Sequence, residues 1–130
     1  MVTYSIADVA DRTGLTAHTL RYYERDELML RPVARDSGGR RVYDDEDLGW
    51  IRMLTCLRAT GMPIREIRHY AELVRDGGRE QDRLDLLLEH RAAVVAQLAE
   101  VREHLGAIEA KIDLYRALTS SAREGLGSAS

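Results

Sequence analysis

The 130-residue chain contains no phenylalanine, one tryptophan, one cysteine and two prolines. Six of its seven aromatic residues are tyrosine. So few rings exclude a large aliphatic–aromatic core, and helix packing between subunits is expected to supply much of the stability. The lone Cys56 excludes an intramolecular disulfide and a cysteine-rich metal site, and fits a reducing compartment. No apolar run approaches the length needed to span a bilayer. The N-terminus MVTYSIADVADRTG lacks the basic leader and apolar stretch of a signal peptide. A cytoplasmic protein without membrane contact is expected. His69, His90 and His104 show no ligand spacing, so no metal or cofactor is expected. No nucleophile–base pair, phosphate loop or carboxylate cluster is visible, which argues against an enzyme.

What the chain has is charge. Charged residues make up 32% of it, and the net charge is −3, which on its own argues against a nucleic-acid partner. Distribution changes that reading. Residues 31–43 carry Arg31, Arg35, Arg40 and Arg41 against Asp36 alone, whereas the residues from Ala71 onward are net acidic. The placement of the arginines, and not their number, favours DNA.

Ser5 is an N-cap with an acid three residues on, and Ile6, Val9 and Ala10 share one face of the helix that follows. Gly14 stops that helix, and Thr16 caps a second one running from Ala17 to Arg25. Two short helices joined by a Gly-containing turn make a helix-turn-helix. Pro32-Val33-Ala34-Arg35 and Arg40-Arg41-Val42-Tyr43 flank Asp36-Ser37-Gly38-Gly39 and read as a β-hairpin. Asp44 caps a third helix with its apolar face at Leu48, Ile51, Leu54 and Leu57. Pro63 starts a fourth, packing through Ile64, Ile67 and Leu73, and Asp76-Gly77-Gly78 ends it.

From Leu84 the period becomes 3.5. Leu84, Leu87, Arg91, Val94, Leu98, Val101, Leu105, Ile108, Ile112 and Tyr115 alternate by three and four, and Arg91 alone is not apolar. Such a seam argues for a coiled coil. Its length of about 47 Å at 1.5 Å per residue is too great to bury on a head of ~75 residues, so a second copy is the expected partner. The domains read as a DNA-binding head at 1–75, a linker at 76–82, a coiled-coil dimerisation helix at 83–119, and a flexible Ser/Gly/Ala-rich tail at 120–130. The fold class is all-α with a small β-hairpin wing: a winged helix-turn-helix head plus a long antiparallel coiled-coil helix.

The order of these elements, and the residues within them, resemble the MerR family of bacterial regulators. Thr19-Leu20-Arg21-Tyr22-Tyr23-Glu24-Arg25 is similar to the family's recognition helix. Arg35 and Gly39-Arg40-Arg41-Val42-Tyr43 resemble its wing, and Asp44 to Ile67 its helix pair. The likeness covers residues 4 to about 74 in sequence and the remainder in architecture. One departure is Glu27, where the family usually carries Gly. A helix ending there in the ordinary way puts Glu27 at positive φ, costing roughly 1 kcal/mol; otherwise the helix ends differently.

In a helix-turn-helix the start of the second helix reaches base edges. That makes Thr16, Ala17, His18, Thr19 and Arg21 the expected DNA contacts, with Arg21 aimed at a guanine edge or a phosphate. The competing reading of Arg21 is a surface ion pair with Glu24. Tyr22 and Tyr23 diverge by about 100° on a helix; Tyr22 is assigned to phosphate and Tyr23 to the core. Arg40, Arg41 and Tyr43 are expected to let the wing grip the backbone. Arg35 either does the same or braces the hairpin.

Cys56 lies beside the buried face of its helix. A small, partly buried side chain is the commoner state of a free cysteine. The second reading is a sensor thiol, because Cys56-Leu57-Arg58-Ala59-Thr60-Gly61-Met62 resembles the aldehyde- and electrophile-sensing branch of the family. The resemblance implies a homodimer on double-stranded promoter DNA, distorting an overlong spacer so that RNA polymerase engages both promoter elements, under control of an effector. The chain ends soon after the coil, so control is expected near the head–coil junction. The alternative is a coiled-coil adaptor whose head binds a protein.

Overall fold

The computed structural model describes residues 2–128, with side chains described through Gly125. The chain divides into one unit ending at His90 and a second beginning at Arg91.

In the first unit, strand β1 (Tyr4–Ser5) leads into helix α1 (Ile6–Thr13). Ser5 caps α1 in a reciprocal box: its Oγ accepts the Asp8 N–H at 3.1 Å, and the Asp8 carboxylate accepts the Ser5 N–H at 3.2 Å. Gly14 closes the helix at φ 74°, which only glycine adopts without cost. Thr16 then caps α2 (Ala17–Arg25) by accepting the Thr19 N–H at 3.1 Å.

Strands β2 (Ala34–Arg35) and β3 (Arg41–Tyr43) form the wing. β1 joins them, giving a three-stranded antiparallel sheet in the order β1-β3-β2, with Tyr4 opposite Tyr43 and Ala34 opposite Val42. The third strand was not expected. Two residues are too few to show the alternation that marks a strand, and their pairing is made some forty residues away in sequence. Asp36 builds the hairpin turn, its Oδ1 accepting the N–H groups of Gly38 and Arg40 at 2.9 Å each.

Helix α3 (Asp45–Ala59) repeats the capping box with Asp44 and Asp47, and α4 (Ile64–Arg75) starts directly after Pro63. Leu48, Ile51, Leu54, Leu57 and Ile67 are buried as expected, together with Val9, Leu20 and Tyr23. Two rings that the sequence reading did not place are also in the core. Trp50 stacks on Tyr70 at 5.6 Å between centroids, and its Nε1 donates to the Leu28 carbonyl at 2.7 Å. Leu73, expected in the core, is only half-buried and lies against Gly78; Tyr70 and Ala71 take the inward face of α4.

Helix α5 (Glu80–Ser128) is longer at both ends than the 83–119 coil expected from sequence. The linker shortens to the turn around Gly77, whose φ is 65°. Residues 120–128, expected to be a flexible tail, continue the helix; Ala129 and Ser130 lie outside the described residues. Extending a helix costs far less than nucleating one, and Gly125 and Gly127 oppose it by only about 1 kcal/mol each. Leu86 and Leu87 pack on the core of the first unit, and His90 shares a 2.7 Å hydrogen bond with Thr60 Oγ1. Leu87 therefore faces the head and not an open seam. In the second unit the seam positions Leu98, Val101, Leu105, Ile108, Ile112 and Tyr115 are 42–63% exposed. No helix is long and apolar enough to cross a membrane among the described residues.

Candidate nucleic-acid interface

The N-terminal half of α2 presents its polar groups outward. His18 and Arg21 are exposed, and Ala17, Thr19 and Tyr22 are half-buried. Thr16 is exposed, but its hydroxyl is engaged as the cap and donates to Thr19 Oγ1 at 3.1 Å. Leu20 and Tyr23 anchor the opposite face in the core, which fixes the direction in which Arg21 points away. Tyr22 and Tyr23 divide as expected. Tyr23 is buried, whereas Tyr22 is half-buried, with the guanidinium carbons of Arg25 and Arg58 at 5.7 and 5.8 Å from its ring centre.

The wing differs more from expectation. Tyr43, assigned to phosphate, is 1% exposed, and its hydroxyl finds no hydrogen-bond partner among the described residues. On a strand, side chains alternate faces; Tyr43 takes the inward one and Val42 the other. Burial pushes its phenol up from the ordinary value, with Glu24 adding to the effect. Tyr43 is thus a core residue and not a free phosphate contact.

The four arginines of the basic stretch are not equivalent. Arg31 is surrounded by acids, reaching Asp44 at 2.5 Å, Glu46 at 3.4 Å and Asp47 at 3.5 Å. The charges of Asp47 and Asp44 raise its pKa. Arg35 and Arg41 both turn to Glu24, at 3.3 and 2.5 Å. The competing reading, an ion pair between Arg21 and Glu24, does not form: Glu24 is taken by two arginines of the wing. Arg40 is exposed and has no ion pair among the described residues, and the same holds for Arg21. The local excess of +3 read from the sequence thus shrinks to one unpaired cation on the hairpin.

Two further arginines fasten the end of α2 to α4. Arg68 reaches the Asp26 carboxylate at 3.6 Å, and Arg75 donates to the Glu27 carbonyl at 2.9 Å. Glu27 does adopt φ 58°. The Leu28 N–H bonds the Tyr23 carbonyl at 2.9 Å and the Glu27 N–H bonds that of Glu24 at 3.2 Å, the paired bonds of a Schellman motif. Glu27 thus takes the positive-φ place in that turn, with the strain that a Cβ brings there.

Cys56 is exposed, so the partly buried reading fails; its carbonyl accepts from the Thr60 hydroxyl at 2.8 Å. No group of three His, Cys, Asp or Glu residues is placed to hold a metal ion among the described residues.

The comparisons with known proteins agree with this geometry. Residues 4–73 match the family described as "MerR HTH family regulatory protein", and residues 48–103 match "MerR, DNA binding". An uncharacterised HTH-type transcriptional regulator of Haemophilus influenzae is 36% identical, over 88% of this chain and 85% of its own. The HTH-type transcriptional regulator AdhR of Bacillus subtilis is 41% identical, over 70% of this chain and 65% of its own. Among solved structures, HiNmlR, described as a MerR family regulator lacking the sensor domain and bound to promoter DNA, superposes with a TM-score of 0.83. It is 35% identical, over 88% of this chain and 87% of its own. The chain belongs to the MerR family and is a DNA-binding transcriptional regulator of that type.

Proposed function

We propose that this regulator works as a homodimer, two copies pairing antiparallel through the apolar row of α5. The supporting observation is the exposure of Leu98, Val101, Leu105, Ile108, Ile112 and Tyr115 on one helix. A row of that length left in water is unfavourable by roughly 25 cal/mol for each Å² of apolar surface, and its period of 3.5 suits a like partner. Leu84 and the half-buried Val94 lie on the same row, whereas Leu87 packs on the head instead.

The dimer would set two recognition helices on a pseudo-palindromic site in promoter DNA, with His18, Thr19 and Arg21 at base edges and Tyr22 and Arg40 at phosphates. Two heads held by one coil can bend and untwist the duplex between them, the deformation being offset by added backbone contacts. RNA polymerase would then engage both promoter elements. The protein acts in the cytoplasm as a regulator and not as an enzyme. Its input is an electrophile or a small molecule, and the exposed Cys56 thiol is the candidate sensor, since a thiol must be reachable to react.

The test combines a seam variant with a thiol variant. Ile108→Lys should sediment as a monomer and lose DNA binding by gel shift, whereas Cys56→Ser should stay dimeric and stop responding to aldehydes. An Ile108→Lys dimer would sink the pairing. A Cys56→Ser protein responding like wild type would sink the thiol sensor alone.

A further inference from the structure

Recognition helix and wing share one carboxylate. Glu24, in the last turn of α2, accepts Arg41 Nε with one oxygen and Arg35 Nη2 with the other. The Glu24 and Arg41 side chains each keep only 24% of their surface. Arg41 sits in β3, the central strand, and Arg35 in β2 at the edge. Arg35 carries the connection onward, its Nη1 donating to the Gly39 carbonyl at 3.3 Å in the hairpin turn. Arg40, next to Arg41, belongs to neither bond; its N–H is fixed by Asp36 and its guanidinium is free of any ion pair among the described residues.

We propose that Glu24 is the positioning residue of the wing, holding it against the recognition helix through Arg35 and Arg41. These two arginines are braces, and Arg40 is the hairpin's phosphate ligand. The proposal rests on the DNA-binding function of the family. A carboxylate on a DNA-facing surface repels phosphate, and pairing it with two guanidiniums removes that penalty while converting the charge into rigidity. A partly buried, charge-assisted bond fixes direction as well as distance. To reach phosphate, Arg41 would have to abandon a partner already in place, whereas Arg40 abandons nothing.

Salt dependence separates the roles, because each phosphate neutralised on duplex DNA contributes about 0.9 to the slope of log K against log salt. The probe is a labelled 30-base-pair duplex that the wild-type protein selects from a random pool, titrated by fluorescence anisotropy at several salt concentrations. Arg40→Gln should flatten the slope by about 0.9 for each bound head. Arg41→Gln and Glu24→Gln should each weaken binding roughly three- to thirty-fold with no flattening, and the double variant should be no weaker than the weaker single one. A flattened slope for Arg41→Gln, or losses that add in the double variant, would overturn the proposal, as would undiminished binding by Glu24→Gln. Should Glu24→Gln fail to melt cooperatively, the Arg40→Gln and Arg41→Gln slopes decide alone. A wild-type protein that selects no duplex would instead refute the DNA-binding reading itself.

Discussion

Replacing Glu27 by glycine should stabilise the protein, although it removes a side chain and adds a flexible residue. Glu27 stands at φ 58°, immediately after the cap of α2. A residue with a Cβ pays roughly 1–2 kcal/mol for that conformation. Glycine pays nothing there but gains freedom in the unfolded chain, which returns about 0.4–1 kcal/mol. The remainder is a gain of about 0.5–1 kcal/mol, or ~2–5 °C in melting temperature for a chain of this length. The bonds that define the turn all use backbone atoms, including the Glu27 carbonyl that accepts from Arg75, so none is lost. Differential scanning calorimetry at fixed protein concentration measures the shift. Glu27→Ala is the control, because it removes the carboxylate and keeps the Cβ. If Glu27→Ala gains as much as Glu27→Gly, charge and not backbone strain is responsible. If Glu27→Gly melts lower than wild type, the strain argument is wrong.

Trp50→Phe should cost about 1–3 kcal/mol in urea unfolding, because the buried Leu28 carbonyl loses its donor; a loss below about 0.5 kcal/mol would contradict this. Asp44→Asn should show a pH-dependent penalty. The Asp47 N–H, and then Arg31, hold the Asp44 carboxylate below its ordinary range. Its contribution is therefore complete above the ordinary Asp value and is lost as pH falls through the lowered folded one. Asp47 runs the other way, since burial raises its pKa. The melting-temperature gap between wild type and Asp44→Asn should be full at neutral pH and close in acid; a gap constant down to pH ~3 would refute the assignment.

The legible parts of this chain were those decided within a few residues. Ser5, Thr16 and Asp44 cap helices as their side chains dictate, Gly14 stops one, and the split between Tyr22 and Tyr23 follows from helical geometry alone. The parts that were not legible depend on distant partners. Whether Tyr43 faces in or out depends on the face that β3 turns to the core, which three residues do not reveal. Nothing near Glu24 in sequence shows that arginines 11 and 17 residues away converge on it. Both failures fall on the wing, where strands are shortest. The seam of α5 was visible by its period, but Leu87, assigned to a partner, belongs to the head.

The unsatisfied hydroxyl of Tyr43 bears on the lack of phenylalanine in the chain. A phenol that bonds to nothing among the described residues does there only what a plain benzyl ring would do. Tyrosine and phenylalanine codons differ by one base, so this core lies a single mutational step from accepting the residue that the chain lacks. At this position, then, the absence of phenylalanine is not a demand of the fold.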